Sequence, residues 1–228
     1  MKRNLFLSGC LRAPGKQFVL TVLLVLVAVI GRGQKSYGTL LTKYLEAQAA
    51  INHFSGVVLV SNKGTVVVEK AYGLANREWN MANTLQTKFR IGSITKQFTA
   101  AAIMQLYESG KLKIEDKLSR YFPAFPKGDS VTIQMLLNHT SGINSNTAIP
   151  RPASLSKLPY DKAAVIALFR NEAYEFPPGT KYKYNNSGYF LLGCIIEIVS
   201  GDTYANYIVN NLVKKRDLKI RWSINSIL

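Results

Sequence analysis

Thiols and imidazoles are scarce in this 228-residue chain, which has two cysteines and two histidines. His53 and His139 have no cysteine or carboxylate at ligand spacing, so the sequence offers no metal site. Acidic residues are missing from the first 33 positions, which carry five basic ones, Lys2, Arg3, Arg12, Lys16 and Arg32. They flank or precede an apolar run, Phe18 to Ile30, that is too short and too unevenly flanked for a membrane span but fits the apolar region of a secretory signal. Gly31 and Gly33 suit cleavage before Gln34, so residues 1–33 are expected to be a signal peptide, with an uncleaved N-terminal anchor as the alternative. Leu7-Ser-Gly-Cys10 is like a lipoprotein acceptor site, but almost no apolar run precedes it, and lipidation is not expected. With Cys10 removed, Cys194 is left alone, which excludes an intramolecular disulfide and suits a small core residue.

Internal repeats and low-complexity tracts are also absent, and a hydrophobic fraction of 47% excludes a disordered chain. The net charge of +16 drops to about +11 without the leader. Lysines and arginines are scattered, no nucleic-acid motif accompanies them, and a solvated basic surface is the expected reading rather than a nucleic-acid partner. Membrane association is expected only through the N-terminal segment, and the oligomeric state is not legible.

Beyond the leader, helical spacing of Leu40, Leu41, Tyr44, Leu45, Ala47 and Ile51 predicts an amphipathic helix over 37–52. Ser55–Val60 and Thr65–Tyr72 read as an antiparallel hairpin around Ser61-Asn-Lys-Gly64. Residues 73–86 read as loop, with Trp79 as a packing anchor. Thr132 is expected to cap a short helix over 131–138, His139 and the hydroxyls after it to satisfy backbone groups at that helix end, and Asp161 to Arg170 to form another helix.

The densest chemistry lies in Phe89-Arg-Ile-Gly-Ser-Ile-Thr-Lys-Gln-Phe-Thr-Ala100. Ser93 and Lys96 are three positions apart at the start of an apolar stripe that predicts a helix over 93–109 closed by Gly110. On one helical face the amine can reach the hydroxyl, which needs a neighbouring base to become a nucleophile. The plain alternative makes Ser93 an N-cap and Lys96 a solvated cation. A second pair stands in the loop after Phe176, where Tyr184 and Asn186 would share one side of an extended segment that leads into a helix over 187–200. A phenol can shuttle a proton and a carboxamide can hold a carbonyl, although both could equally satisfy the loop backbone.

Ser93-Ile-Thr-Lys96, followed about ninety residues later by Tyr184-Asn-Asn186, resembles the motifs of serine hydrolases related to β-lactamases, a family that includes class C β-lactamases, D-Ala-D-Ala carboxypeptidases and esterases. Phe89-Arg-Ile-Gly, Leu136-Leu-Asn-His-Thr-Ser-Gly-Ile143 and Pro178-Gly-Thr180 add to the likeness, which runs from about Leu41 to about Asn211. The resemblance implies an α+β, β-lactamase/transpeptidase-like fold, with an antiparallel sheet flanked by helices plus a helical region. It also implies that Ser93 forms an acyl-enzyme, that Lys96 eases removal of its proton and that Tyr184 relays that proton. Asn186 would orient Lys96 and a substrate amide, with the Ser93 N–H as half of an oxyanion hole and no metal or organic cofactor. The implied substrate is a β-lactam, a peptidoglycan peptide or a small ester, and the implied location is periplasmic or secreted.

No glycine follows Gly201, so the family's third element, Lys- or His-x-Gly on a strand, has no counterpart here. Residues 34–211 therefore read as a C-terminally truncated domain lacking its last sheet strands, and 212–228 as an off-pattern basic tail that suggests a frameshift or truncation near 212. Losing that strand removes one oxyanion donor, and such a loss costs roughly 10²–10³ in rate. The alternative to an active hydrolase is thus an impaired or inactive family member that binds at most a wall peptide or a protein partner.

Overall fold

The computed structural model describes residues 37–147 and 161–216. The expected leader and Cys10, and the tail from 217 onward, lie outside the described residues. The chain divides into two compact units at Phe89/Arg90.

In the first unit, helix α1 (37–50) ends where Asn52 turns left-handed at φ 58°. The N–H groups of Asn52 and His53 return to the carbonyls of Ala49 and Gln48, both at 3.0 Å. Strands β1 (Gly56–Asn62) and β2 (Thr65–Tyr72) form the expected antiparallel hairpin, with Gly56 opposite Tyr72 and a bulge at Val60/Ser61. Val68 and Tyr72, four residues apart on one face of β2, are its buried side chains. The buried Asn83 ties the far end by donating to the Tyr72 carbonyl at 2.8 Å and to Ser55 Oγ at 3.1 Å.

Two expectations for 73–86 need correction. A second small hairpin forms there, β3 (Leu74–Asn76) with β4 (Met81–Ala82). Trp79 is 76% exposed and anchors no core among the described residues. It sits in the β3–β4 turn, where its N–H donates to Asn76 Oδ1 at 2.8 Å, a side-chain turn that holds the indole at the hairpin tip.

The second unit is helical, comprising α2 (Thr95–Glu108), α3 (Ile133–Leu137), α4 (Lys162–Arg170), α5 (Asn186–Ser200) and α6 (Tyr204–Ile208). Helix α5 is the centre, packed by α2, α3, α4 and α6. Leu191, Leu192, Ile195 and Ile196 on it are fully buried, against Ala102, Ile103 and Leu106 of α2 and Ile133 and Leu136 of α3. A helix this apolar on most of its circumference needs neighbours all round, and its sequence specifies a central place. From Val209 the chain stays helical through Arg216, and Leu212 and Val213 join the core. Together with the small antiparallel hairpins, these helices make the fold α+β.

Caps place the ends where the sequence puts them. After α2, the N–H groups of Gly110 and Lys111 bond the carbonyls of Tyr107 at 2.9 Å and Leu106 at 3.0 Å, with Gly110 at φ 69°. This is the reciprocal pair that a left-handed residue closes at a helix end. At the start of α3, Thr132 Oγ1 accepts from the Met135 N–H at 3.2 Å. Thr132→Ala is expected to cost about 1 kcal/mol, read as a lower urea midpoint at unchanged slope. An unchanged midpoint would show that the cap carries no stability.

Candidate active site

Every residue singled out for chemistry belongs to the second unit. Ser93 lies in a tight 3₁₀ turn (Gly92–Ile94) that leads into α2, which starts at Thr95, two residues later than expected. The N-cap of α2 is Ile94 and no side chain caps it, so the reading of Ser93 as a cap does not hold. One turn on, Lys96 Nζ donates to Ser93 Oγ at 3.3 Å and to Asn186 Oδ1 at 2.8 Å. The Tyr184 hydroxyl donates to Ser93 Oγ at 2.6 Å. The ammonium also lies 4.8 Å from the Tyr184 ring centre and 5.5 Å from that of Tyr189. Two segments about ninety residues apart thus converge on one hydroxyl.

The Tyr184 phenol has two influences acting in opposite directions. Partial burial raises its pKa, but the Lys96 ammonium and the Ser93 hydroxyl favour the phenolate, and the net result lies below the ordinary tyrosine value. At Tyr189, burial and the neighbouring Tyr184 push the phenol up. The phenol beside the serine is therefore the one disposed to hold and release a proton.

Loop 139–147 supports this arrangement from beneath. It begins at the end of α3, where His139 takes a left-handed backbone (φ 62°) and the Thr140 N–H returns to the Met135 carbonyl at 2.9 Å. The loop then pairs with the segment ahead of α5. Lys183 N–H donates to the His139 carbonyl at 3.0 Å, Gly179 N–H to Thr140 and Glu175 N–H to Gly142, both at 2.8 Å. His139 Nδ1 accepts the Asn185 N–H at 3.1 Å, so this histidine does satisfy backbone at the helix end.

Asn185 turns inward, away from its motif neighbours. Its Oδ1 caps α5 by accepting the Gly188 N–H at 2.7 Å, and its Nδ2 donates to the Ile143 carbonyl at 2.5 Å. Asn186 is therefore the first residue of α5 rather than part of the extended segment. Its Nδ2 donates to Thr147 Oγ1 at 2.9 Å, and Ser145 Oγ is 3.1 Å from that hydroxyl. With oxygen toward Lys96 and nitrogen toward Thr147, both ends of the carboxamide are matched. Thr147 and Ser145 have no periodicity or motif of their own and were not legible in the sequence. Among the described residues no three His, Cys, Asp or Glu side chains stand together to hold a metal.

A hydroxyl flanked by an amine and a phenol, backed by a carboxamide, is a constellation that can be compared with known proteins. The sequence model of the Beta-lactamase family matches residues 20–219. The chain belongs to the beta-lactamase family. Among curated relatives, it is 38% identical to a putative penicillin-binding protein, PbpX, of Bacillus subtilis, over 71% of this chain and 39% of that one. Among solved structures, a penicillin-binding protein from Bacillus halodurans superposes with a TM-score of 0.65 at 33% identity, covering 76% of this chain and 55% of the other. A D-stereospecific amidohydrolase from Streptomyces gives a TM-score of 0.53 at 30% identity, over 57% and 42%. This beta-lactamase family chain thus spans well under half the length of that curated relative. Its fold is the β-lactamase/transpeptidase-like one expected.

Proposed function

We propose that this chain is an exported serine hydrolase that works through an acyl-enzyme on Ser93. The observation that carries the reading is the bonding of one hydroxyl by both Lys96 (3.3 Å) and Tyr184 (2.6 Å). In the first half-reaction Tyr184 starts as the phenolate that Lys96 favours, and Ser93 Oγ bonds to the substrate carbonyl carbon as its proton passes to that phenolate. Collapse breaks the bond to the leaving nitrogen or oxygen, which takes the proton back from Tyr184. In the second half-reaction water attacks the ester with Tyr184 as base, and Ser93 regains its proton. Asn186 holds Lys96 in place through Oδ1.

The substrate class is a β-lactam, a peptidoglycan peptide or a small ester. Support comes from the penicillin-binding and amidohydrolase names of the similar proteins. Export, to the periplasm or the medium, is supported by the basic and apolar pattern of residues 1–33. No helix among the described residues is long and apolar enough to cross a membrane.

The test exposes the full chain and a Ser93→Ala variant to a penicillin and to a fluorophosphonate, and reads intact mass. An adduct on the parent chain that is lost in the variant is the expected result. A parent chain that is folded by circular dichroism yet takes no adduct from either reagent would overturn the catalytic reading in favour of a binding remnant.

A further inference from the structure

We propose that His139 is a positioning residue of this reaction: the lone pair on its Nδ1 holds the Asn185 N–H and so aims Tyr184 and Asn186 at Ser93 and Lys96. The inference rests on the catalytic reading above. One residue takes two alternate N–H groups of the segment that carries the phenol, Lys183 through its carbonyl at 3.0 Å and Asn185 through its ring at 3.1 Å. Tyr184 lies between them, bracketed on both sides. Its ring centre is 4.7 Å from that of His139, while Tyr189 lies 5.1 Å away and Tyr182 6.0 Å. The backbone of His139 is left-handed, at φ 62°, a conformation that histidine, like asparagine, adopts more readily than most side chains. A helix end alone does not call for an imidazole. The ring is explained by the bond it makes to Asn185.

Chemistry follows from which nitrogen is bare. An N–H can be accepted only by an unprotonated Nδ1, so the ring must be neutral with its hydrogen on Nε2. Burial first, and then the charge of Lys96, hold its pKa below the ordinary histidine value and outweigh an opposing contribution from the Asn185 backbone contact. The titratable and charged groups around the ring are Lys96 from α2, Tyr189 from α5 and Tyr182 and Tyr184 from the segment between. Lys183 is engaged with Glu175 at 2.6 Å. Protonation of the Tyr184 phenolate, the base of the reaction, also slows acylation as pH falls, so the imidazole is read from the extra steepness it adds to the acid limb. Below its pKa two donors face each other at Asn185, the segment loses its hold, and acylation falls by about a further tenfold per pH unit beyond what protonation of Tyr184 causes.

The experiment measures the rate of penicillin adduct formation on the full chain between about pH 8 and about pH 5, for the parent, His139→Asn and His139→Leu. Asparagine offers a non-titrating oxygen close to where Nδ1 stood and tolerates the left-handed backbone. His139→Asn is expected within about threefold of the parent at the alkaline end and with a shallower acid limb, the one that protonation of Tyr184 leaves. His139→Leu is expected to slow about 10²-fold throughout the range. An acid limb as steep in His139→Asn as in the parent overturns the proposal, as does a parent-like rate in His139→Leu. A nuclear magnetic resonance titration of the Asn185 amide gives a readout independent of activity. A shift in step with the imidazole supports the bond, and a flat amide overturns it. A parent chain that takes no adduct while this amide titrates would sink the catalytic reading and leave the positioning contact standing.

Discussion

Lys96→Met is expected to slow acylation of Ser93 by about 10³-fold while leaving the chain folded. Methionine fills nearly the same volume but has no charge. Three relations are lost together: the bond to Ser93 at 3.3 Å, the bond to Asn186 at 2.8 Å, and the positive charge 4.8 Å from the Tyr184 ring centre. The phenol then keeps only the serine as a favourable partner, and its pKa rises toward or past the ordinary value. The rate deficit should therefore narrow as pH is raised, because alkali restores the phenolate that Lys96 otherwise favours. Stopped-time intact-mass measurements over a pH series check both features. A deficit below about tenfold, or one that does not change with pH, would remove Lys96 from the proton path.

Gly142→Ala should be the most damaging small change in the supporting loop. A Cβ at Gly142 would lie 2.1 Å from the Phe176 carbonyl oxygen, and the residue has φ 72°. Steric overlap with backbone and a left-handed alanine together are expected to cost about 2–5 kcal/mol. Gly110→Ala is the comparison, since φ is 69° there but nothing stands within 4 Å of the added carbon. It should cost about 1 kcal/mol. Urea midpoints of the two variants separate crowding from strain, and equal losses would show that the loop gives way to Phe176. The damage should reach the site as well, because the Gly142 carbonyl holds Glu175 and the next residue, Ile143, holds Asn185.

What could be read in the sequence was what local rules decide. The stripe on α2, the cap at Thr132, the Asp161 start of α4 and the turn at Ser61-Asn-Lys-Gly64 between β1 and β2 each follow from a few neighbouring residues. Trp79 went the other way because a large aromatic suggests a core, while the nearby Asn76 makes a turn that leaves it exposed. Ser93 was legible as a nucleophile candidate but not as part of a 3₁₀ turn, since one residue decides where a helix becomes regular. The pairing of Asn186 with Thr147, and of Asn185 with Ile143, depends on how two distant loops meet. No local pattern encodes it. Of the two adjacent asparagines, alternation picked out the one beside Lys96 but gave no sign that the other caps α5.

Cys194 sits two turns along α5 from Asn186, buried, with its thiol pushed up to about 12 by burial and by the nearby Glu197. Such a thiol is almost inert while the helix is packed, since thiol reagents need the thiolate and access to it. It therefore works as a built-in clock. Its labelling rate, followed at this cysteine by peptide mass, counts the openings of the helix that places the carboxamide against Lys96. A reagent that acylates Ser93 and also slows this clock would reveal that occupying the site tightens the core beneath it.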